Sequence, residues 1–240
     1  MRGAMITLVG VGHVFDIKKQ VRDIILEERP AAVCVELDPG RYQALKDPAS
    51  RARMPPTYRL LSHFQKRMAK DFGGELGSEM LSAIDTAQGQ GIPVLLIDAD
   101  AAQLFSKLWQ EMSFRERVLL TFSALMGIFS SRKKVEKELE RFTQQEEAYL
   151  EEFGKEYPTL KRVLIDERNQ LMANRIAEAE ARYLNVLAVV GDGHVEGIRR
   201  LLSPRDIRVI RLKHLLDGEY LGTRAKVGEG NKEVSFQFDL

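Results

Sequence analysis

The sequence predicts an α/β fold built on a mixed, mostly parallel sheet with flanking helices, and three observations carry that prediction. Short apolar β-rich runs alternate with helical patterns through the N-terminal third. The same rhythm returns near residue 185. A run that ends in Gly-x-Gly-His-Val occurs twice, as ITLVGVGHVFDI over 6–17 and as LAVVGDGHVEGI over 187–198. Alternation of this kind is what crossover helices between parallel strands produce, and the doubled run predicts an internally repeated βα unit.

In chain order, ITLVG (6–10) reads as a strand, 16–29 as a helix, AAVCVEL (31–37) as a second strand and the stretch ending near 46 as a helix. A helix around 75–89 and the strand PVLLID (93–98) follow. The pattern then changes. Residues of about 103–157 carry helical stretches without strand signal, and RKKVEKELERFTQQEEAYLEEFGKEY is charged on most faces, as a projecting helix would be. This segment is read as a helical insertion in one domain spanning 1–240. Pro158 opens a helix over 158–183, where proline in the first turn is favourable. NVLAVVG (185–191), a helix over 195–202 and IRVIRL (207–212) complete the rhythm, and EVSFQFDL (233–240) reads as an edge strand.

Charge and composition exclude some partners. Lysine plus arginine (36) balance aspartate plus glutamate (35), so the +1 net charge gives no global attraction to nucleic acid or to an anionic membrane. The single cysteine, Cys34, lies inside an apolar run and reads as a small buried hydrophobe. The N-terminus runs directly into a core strand without a signal-peptide pattern, and the most apolar segment elsewhere, VLLTFSALMGIF (118–129), is shorter than the ~20 residues a spanning helix needs. The expectation is a cytoplasmic protein without a membrane span, whose apolar segment packs inside the molecule or forms a homodimer contact through the insertion.

Ligands of parallel α/β sheets bind beyond the carboxyl ends of the strands. Both Gly-x-Gly-His motifs stand there, as do Glu36 after the second strand and Asp98 after the third. If the strands are neighbours, His13, Glu36 and His194 converge, with Asp98 as a further candidate. Two imidazoles and a carboxylate suffice to hold a catalytic divalent metal with an open position. Two other chemistries fit the same residues: a histidine acting as general base without metal, and histidines that only cap loops. A dinucleotide-binding turn fits less well, because Phe15 and Glu196 stand where the third glycine of G-x-G-x-x-G belongs.

Charges on otherwise apolar helix faces add candidates. The stripe Leu76, Met80, Ala83, Ile84, Ala87 passes through Glu79, and the stripe Leu160, Val163, Leu164, Leu171, Met172, Ile176 passes through Glu167 and Arg168. Charges on a buried face are paired or serve a site. Arg41 reads either as a structural salt bridge or as an anion clamp. His63 and His214 read as solvated or capping residues.

Taken in order, GVGHV (10–14), VCVELDPGRY (33–42), GSEM (77–80), PVLLIDAD (93–100), LIDERNQLMANRI (164–176) and VVGDGHVEGI (189–198) resemble the TraB/PrgY family. They are also similar to the wider group of Tiki-type and erythromycin-esterase-like proteins, whose shared pattern is a pair of Gly-x-x-His motifs and a glutamate. Gly10 to His13, Gly191 to His194 and Glu36 match that pattern. For the Tiki branch the resemblance implies a metal-dependent peptidase supported by manganese or cobalt. For the TraB branch it implies a part in shutting down peptide pheromone signalling. Many members continue into C-terminal membrane helices, whereas this sequence ends at EVSFQFDL.

The leading expectation is therefore a hydrolase of amide or peptide bonds. His13, Glu36 and His194 would hold manganese, cobalt or zinc, Glu79 would take a proton from water, and Arg168 or Arg41 would face a developing oxyanion or a substrate carboxylate. Two alternatives stay open: an esterase-like hydrolase that uses His and Glu without metal, and a non-catalytic protein that binds a peptide or small ligand in the same crevice.

Overall fold

A computed structural model describes residues 5–12, 15–47, 77–120 and 146–221. Among the described residues the strands are β1 (Met5–Val11), β2 (Ala32–Val35), β3 (Val94–Leu96), β4 (Asn185–Gly191) and β5 (Ile207–Ile210). They form one sheet in the order β3-β2-β4-β1-β5, with every pairing parallel. The helices around it are α1 (Lys18–Glu28), α2 (Pro39–Lys46), α3 (Ser78–Gly89), α4 (Ala101–Glu111), α5 (Glu146–Glu156), α6 (Pro158–Lys161), α7 (Glu167–Tyr183), α8 (Asp192–Leu202) and α9 (Leu212–Leu216). Residues 114–120 are also helical.

The strand order dictates where the helices lie. The connections from β1 to β2 and from β2 to β3 step one way across the sheet; those from β3 to β4 and from β4 to β5 step the other way. Crossovers between parallel strands are right-handed almost without exception, so a reversal of direction moves the helices to the opposite face. The core has that division. Ile24 and Ile25 of α1 and Met80, Ala83 and Ile84 of α3 pack on Val33, Val35, Leu187 and Val189. Met172 and Ile176 of α7 and Val195 and Ile198 of α8 pack on Ile6, Leu8, Cys34, Ala188 and Val190. Alternate residues of each strand thus serve opposite layers, and each fully buried Ile or Leu contributes about 1.5–3 kcal/mol. Because β4 sends its helix to one face while its neighbours β1 and β2 send theirs to the other, a crevice opens beside the carboxyl end of β4, the usual ligand position in such sheets.

The two copies of the repeated motif lie side by side, but one residue out of step: Gly10 pairs with Val190 and Val11 with Gly191. Their continuations differ as well. Val11 stays in β1 and is buried in the core, whereas the equivalent residue of the second copy, Asp192, begins α8. An acidic residue in the first turn favours a helix start. The helix expected over 195–202 therefore begins three residues earlier, and His194 sits in its first turn rather than in a loop.

Two further expectations are corrected. The segment 158–183 is not one regular helix: α6 gives way to a π-helical turn, Arg162–Asp166, before α7. The turn shifts the apolar face, so that Leu160 and Val163 join Leu108, Met112 and Tyr157 in a small separate core while Met172 and Ile176 face the sheet. The run IRVIRL is a strand only to Ile210, since Leu212 opens α9. Of VLLTFSALMGIF, Leu119 and Leu120 pack against the small core and Val118 is exposed; residues 121–129 lie outside the described residues, as do His13, His63 and the run 233–240. Among the described residues no helix is long and apolar enough to cross a membrane.

Candidate active site

The site is built where strands end. The last residues of β2 lead directly into Glu36, whose backbone N–H still bonds to Val189 of β4, so the carboxylate is fixed by the sheet itself. One oxygen of Glu36 accepts from the N–H of Gly191 at 2.6 Å, which ties the ends of β2 and β4 together. Asp98 follows β3, and its backbone N–H bonds to Leu37. Asp38 caps α2 by accepting from the Arg41 N–H at 3.0 Å. This turns Arg41 back toward the strand ends, where its guanidinium donates to Asp38 at 2.6 Å and to Asp98.

From the other face, α7 brings Arg168 into the centre of the cluster. Its Nε and Nη2 donate to the two oxygens of Asp98 at 2.9 and 2.7 Å, and Nη2 also donates to Oε1 of Glu36. Nη1 donates to the Leu164 carbonyl at 3.1 Å, within the π-turn, and lies 3.0 Å from Nε2 of His194. A guanidinium can only donate, so Nε2 accepts and the imidazole is neutral, with its proton on Nδ1. That proton is donated to Oδ1 of Asn169 at 2.7 Å. Arg175, two turns on, holds the Asp98 carbonyl at 2.8 Å and fastens α7 to the end of β3.

The electrostatics follow from burial. Glu36, Asp98 and His194 are buried, and the Arg168 side chain is only 13% exposed. Burial alone would lower the Arg168 pKa, but the facing carboxylates of Glu36 and Asp98 outweigh it and raise it. Arg41 is raised against burial in the same way, by Asp98 and Asp38. Burial pushes the Asp98 carboxyl up, yet the bonds to Arg168 hold it below the usual carboxylate value. The carboxylates of Glu36, Asp38 and Asp98 and the guanidinium groups of Arg41 and Arg168 thus form one continuous charged network at the strand ends.

Close approach of backbone to side chain makes two glycines necessary. A Cβ at Gly10 would collide with Oδ1 of Asp192, and one at Gly197 would collide with Nδ2 of Asn169. The first lets α8 begin against β1, and the second lets α8 pass close enough to α7 for His194 to reach Asn169. Asp192 itself takes Arg211 at 2.9 and 2.8 Å and the Leu212 N–H at 2.8 Å, pinning the end of β5 to the site. His214 accepts from the Arg211 N–H, which is the capping one of the two roles, solvated or capping, expected for it.

Of the expected site residues, the structure brings Glu36, His194, Arg168 and Arg41 together. Glu79 is 0% exposed in the first turn of α3, the helix that packs on the opposite face of the sheet from α7. Among the described residues no three His, Cys, Asp or Glu side chains stand together as metal donors; the expected set needs His13, which lies outside them. Asn169 and Asp192 are additions. Asn169 stands three positions before Met172 on the buried stripe of α7, where sequence reasoning marked only the charged Glu167 and Arg168.

Similarity to known proteins decides the lineage. The model of the TraB/PrgY/gumN family matches residues 2–211. The chain belongs to the TraB/PrgY/gumN family. A relative, an uncharacterized protein of Methanocaldococcus jannaschii, is 31% identical over 211 residues, covering 82% of this chain and 53% of the relative. The chain spans about half the length of that curated relative. The matched residues contain every element of the site, from β1 through β5.

Proposed function

We propose that this TraB-family chain is a metal-dependent hydrolase of amide or peptide bonds, with Glu36 and His194 as two of the metal ligands and His13 as the third. The observation that carries the reading is the pairing of Oε1 of Glu36 with Nε2 of His194 at 3.6 Å. A carboxylate oxygen and an imidazole nitrogen are both donors that a divalent ion would take, and here they face one another. The donor chemistry also fits. The neutral imidazole is the ligating form, and the carboxamide of Asn169 on its Nδ1–H is the kind of outer partner that orients a ligating histidine. A positive group, the guanidinium of Arg168, already stands in for a cation against both donors.

A divalent ion held there supplies Lewis acidity that polarises a carbonyl and acidifies water. The chain supplies the rest. Glu36 is held by the Gly191 N–H, so its carboxylate keeps one direction. Glu79, buried in the first turn of α3 and outside the cluster of Glu36, His194, Arg168 and Arg41, is the proposed base for the attacking water. Arg41 and Arg168, which meet on Asp98, supply N–H donors suited to a developing oxyanion or a substrate carboxylate.

The test is an assay of the full chain with Mn²⁺ or Co²⁺ against a panel of unstructured peptides, N-acylated amides and simple esters. The reading expects hydrolysis that a chelator stops and that the metal restores. Hydrolysis indifferent to chelator would favour the histidine base without metal.

A further inference from the structure

We infer that Arg168 is a built-in counter-cation that competes with a divalent ion for Glu36 and His194, so that ion binding requires the guanidinium to withdraw from both. The inference rests on the metal reading above and adds a coupling to it.

The geometry is specific. The same two atoms that would ligate the ion, Oε1 of Glu36 and Nε2 of His194, are the ones that Nη2 and Nη1 of Arg168 address. Each lone pair aimed at the guanidinium is closed to an ion, and a divalent charge between those donors would stand directly against a positive group in a buried setting, where repulsion is poorly screened. Withdrawal need not break the whole network. The Nε bond to Asp98 at 2.9 Å involves neither Glu36 nor His194 and serves as a pivot, whereas Nη2, which Asp98 shares with Glu36, swings away with Nη1. Once Nη1 leaves His194, its N–H groups face the crevice and can donate to a substrate oxygen. Arg168 follows the π-turn and bonds back to its Leu164 carbonyl, and that hydrogen bond breaks in the same movement. The arrangement also gives the buried carboxylates of Glu36 and Asp98 a partner of opposite charge in the absence of an ion, without which they would be strongly destabilising.

The test uses Mn²⁺ alone as probe, with the full-length chain, its Arg168→Gln variant and its Arg168→Lys variant, measured by titration calorimetry and by thermal unfolding with and without the ion. Arg168→Gln should bind Mn²⁺ at least about tenfold more tightly than the parent. Without the ion its Tm should be lower than the parent's, and the ion should raise it by more than it raises the parent's. Should Arg168→Gln not fold, Arg168→Lys, whose single ammonium cannot hold Glu36 and His194 at once and can swing away from the ion, should still bind Mn²⁺ more tightly than the parent. Equal or weaker binding in the folded variant, with the parent binding Mn²⁺, overturns the competition and leaves the metal reading standing. Binding by neither parent nor variant overturns both.

Discussion

Nη1 of Arg168 lies 3.0 Å from Nε2 of His194, and that approach fixes the state of the histidine. Because the guanidinium cannot accept, the imidazole is neutral and carries its proton on Nδ1, facing Asn169 at 2.7 Å. Helix α7 thus sets both nitrogens of a residue that belongs to α8.

Asn169→Ala removes the group that selects this tautomer. Outer partners of ligating histidines are worth roughly 10–100-fold in metal affinity, so Mn²⁺ affinity should fall by that amount while the fold persists. Calorimetric titration of the variant checks it; unchanged affinity would mean that Asn169 only spaces α7 from α8 against Gly197.

Glu79→Gln separates proton transfer from metal binding. The variant should keep the Mn²⁺ affinity of the parent and hydrolyse a cleaved peptide about 100-fold more slowly. Full turnover in this variant would remove Glu79 from the chemistry and leave it a structural role in α3.

Glu116 gives a test of stability away from the site. It accepts from the N–H and hydroxyl of Ser113 at 3.0 and 2.9 Å and from those of Thr159 at 2.7 and 2.9 Å, joining the helical stretch 114–120 to α6. Burial pushes its carboxyl up, but these N–H and hydroxyl groups outweigh it and hold it below the ordinary value. A carboxyl depressed in the folded state stabilises above its unfolded pKa, about 4.3, and loses that contribution as pH falls through the folded value. Glu116→Gln should therefore cost about 1–3 kcal/mol at pH 7, and the gap to the parent should narrow below about pH 4. Urea unfolding at pH 7 and pH 3 measures both; a gap independent of pH would contradict the ionised bridge.

Much of this architecture is legible in the residues, for physical reasons that also mark its limits. Alternating apolar runs and glycine-ended strands reveal parallel βα units, since buried strands are written as near-continuous Val, Ile and Leu. Glu36 is legible because an ionisable group directly after a core strand has few other uses, and His194 because it belongs to the doubled Gly-x-Gly-His motif. Arg168 shows itself as a charge on an apolar stripe. Strand order is another matter: β4 between β1 and β2 is a long-range pairing, and the one-residue offset between Gly10 and Gly191 follows from register rather than from the motif. The π-turn is equally hidden, because it answers two separate cores meeting one helix, Val163 in one and Met172 in the other. Asn169 is hard to single out because an amide carries no charge to mark it on a helix.

The most direct measurement of the central claim is the Mn²⁺ stoichiometry and affinity of the purified full chain and of His194→Ala, by equilibrium dialysis with elemental analysis at neutral pH. About one ion per chain is expected for the parent, with binding abolished in His194→Ala because one of three ligands is gone. Equal stoichiometry and affinity in the two proteins would show that His194 is not a ligand and would contradict the assignment of this crevice as a metal site.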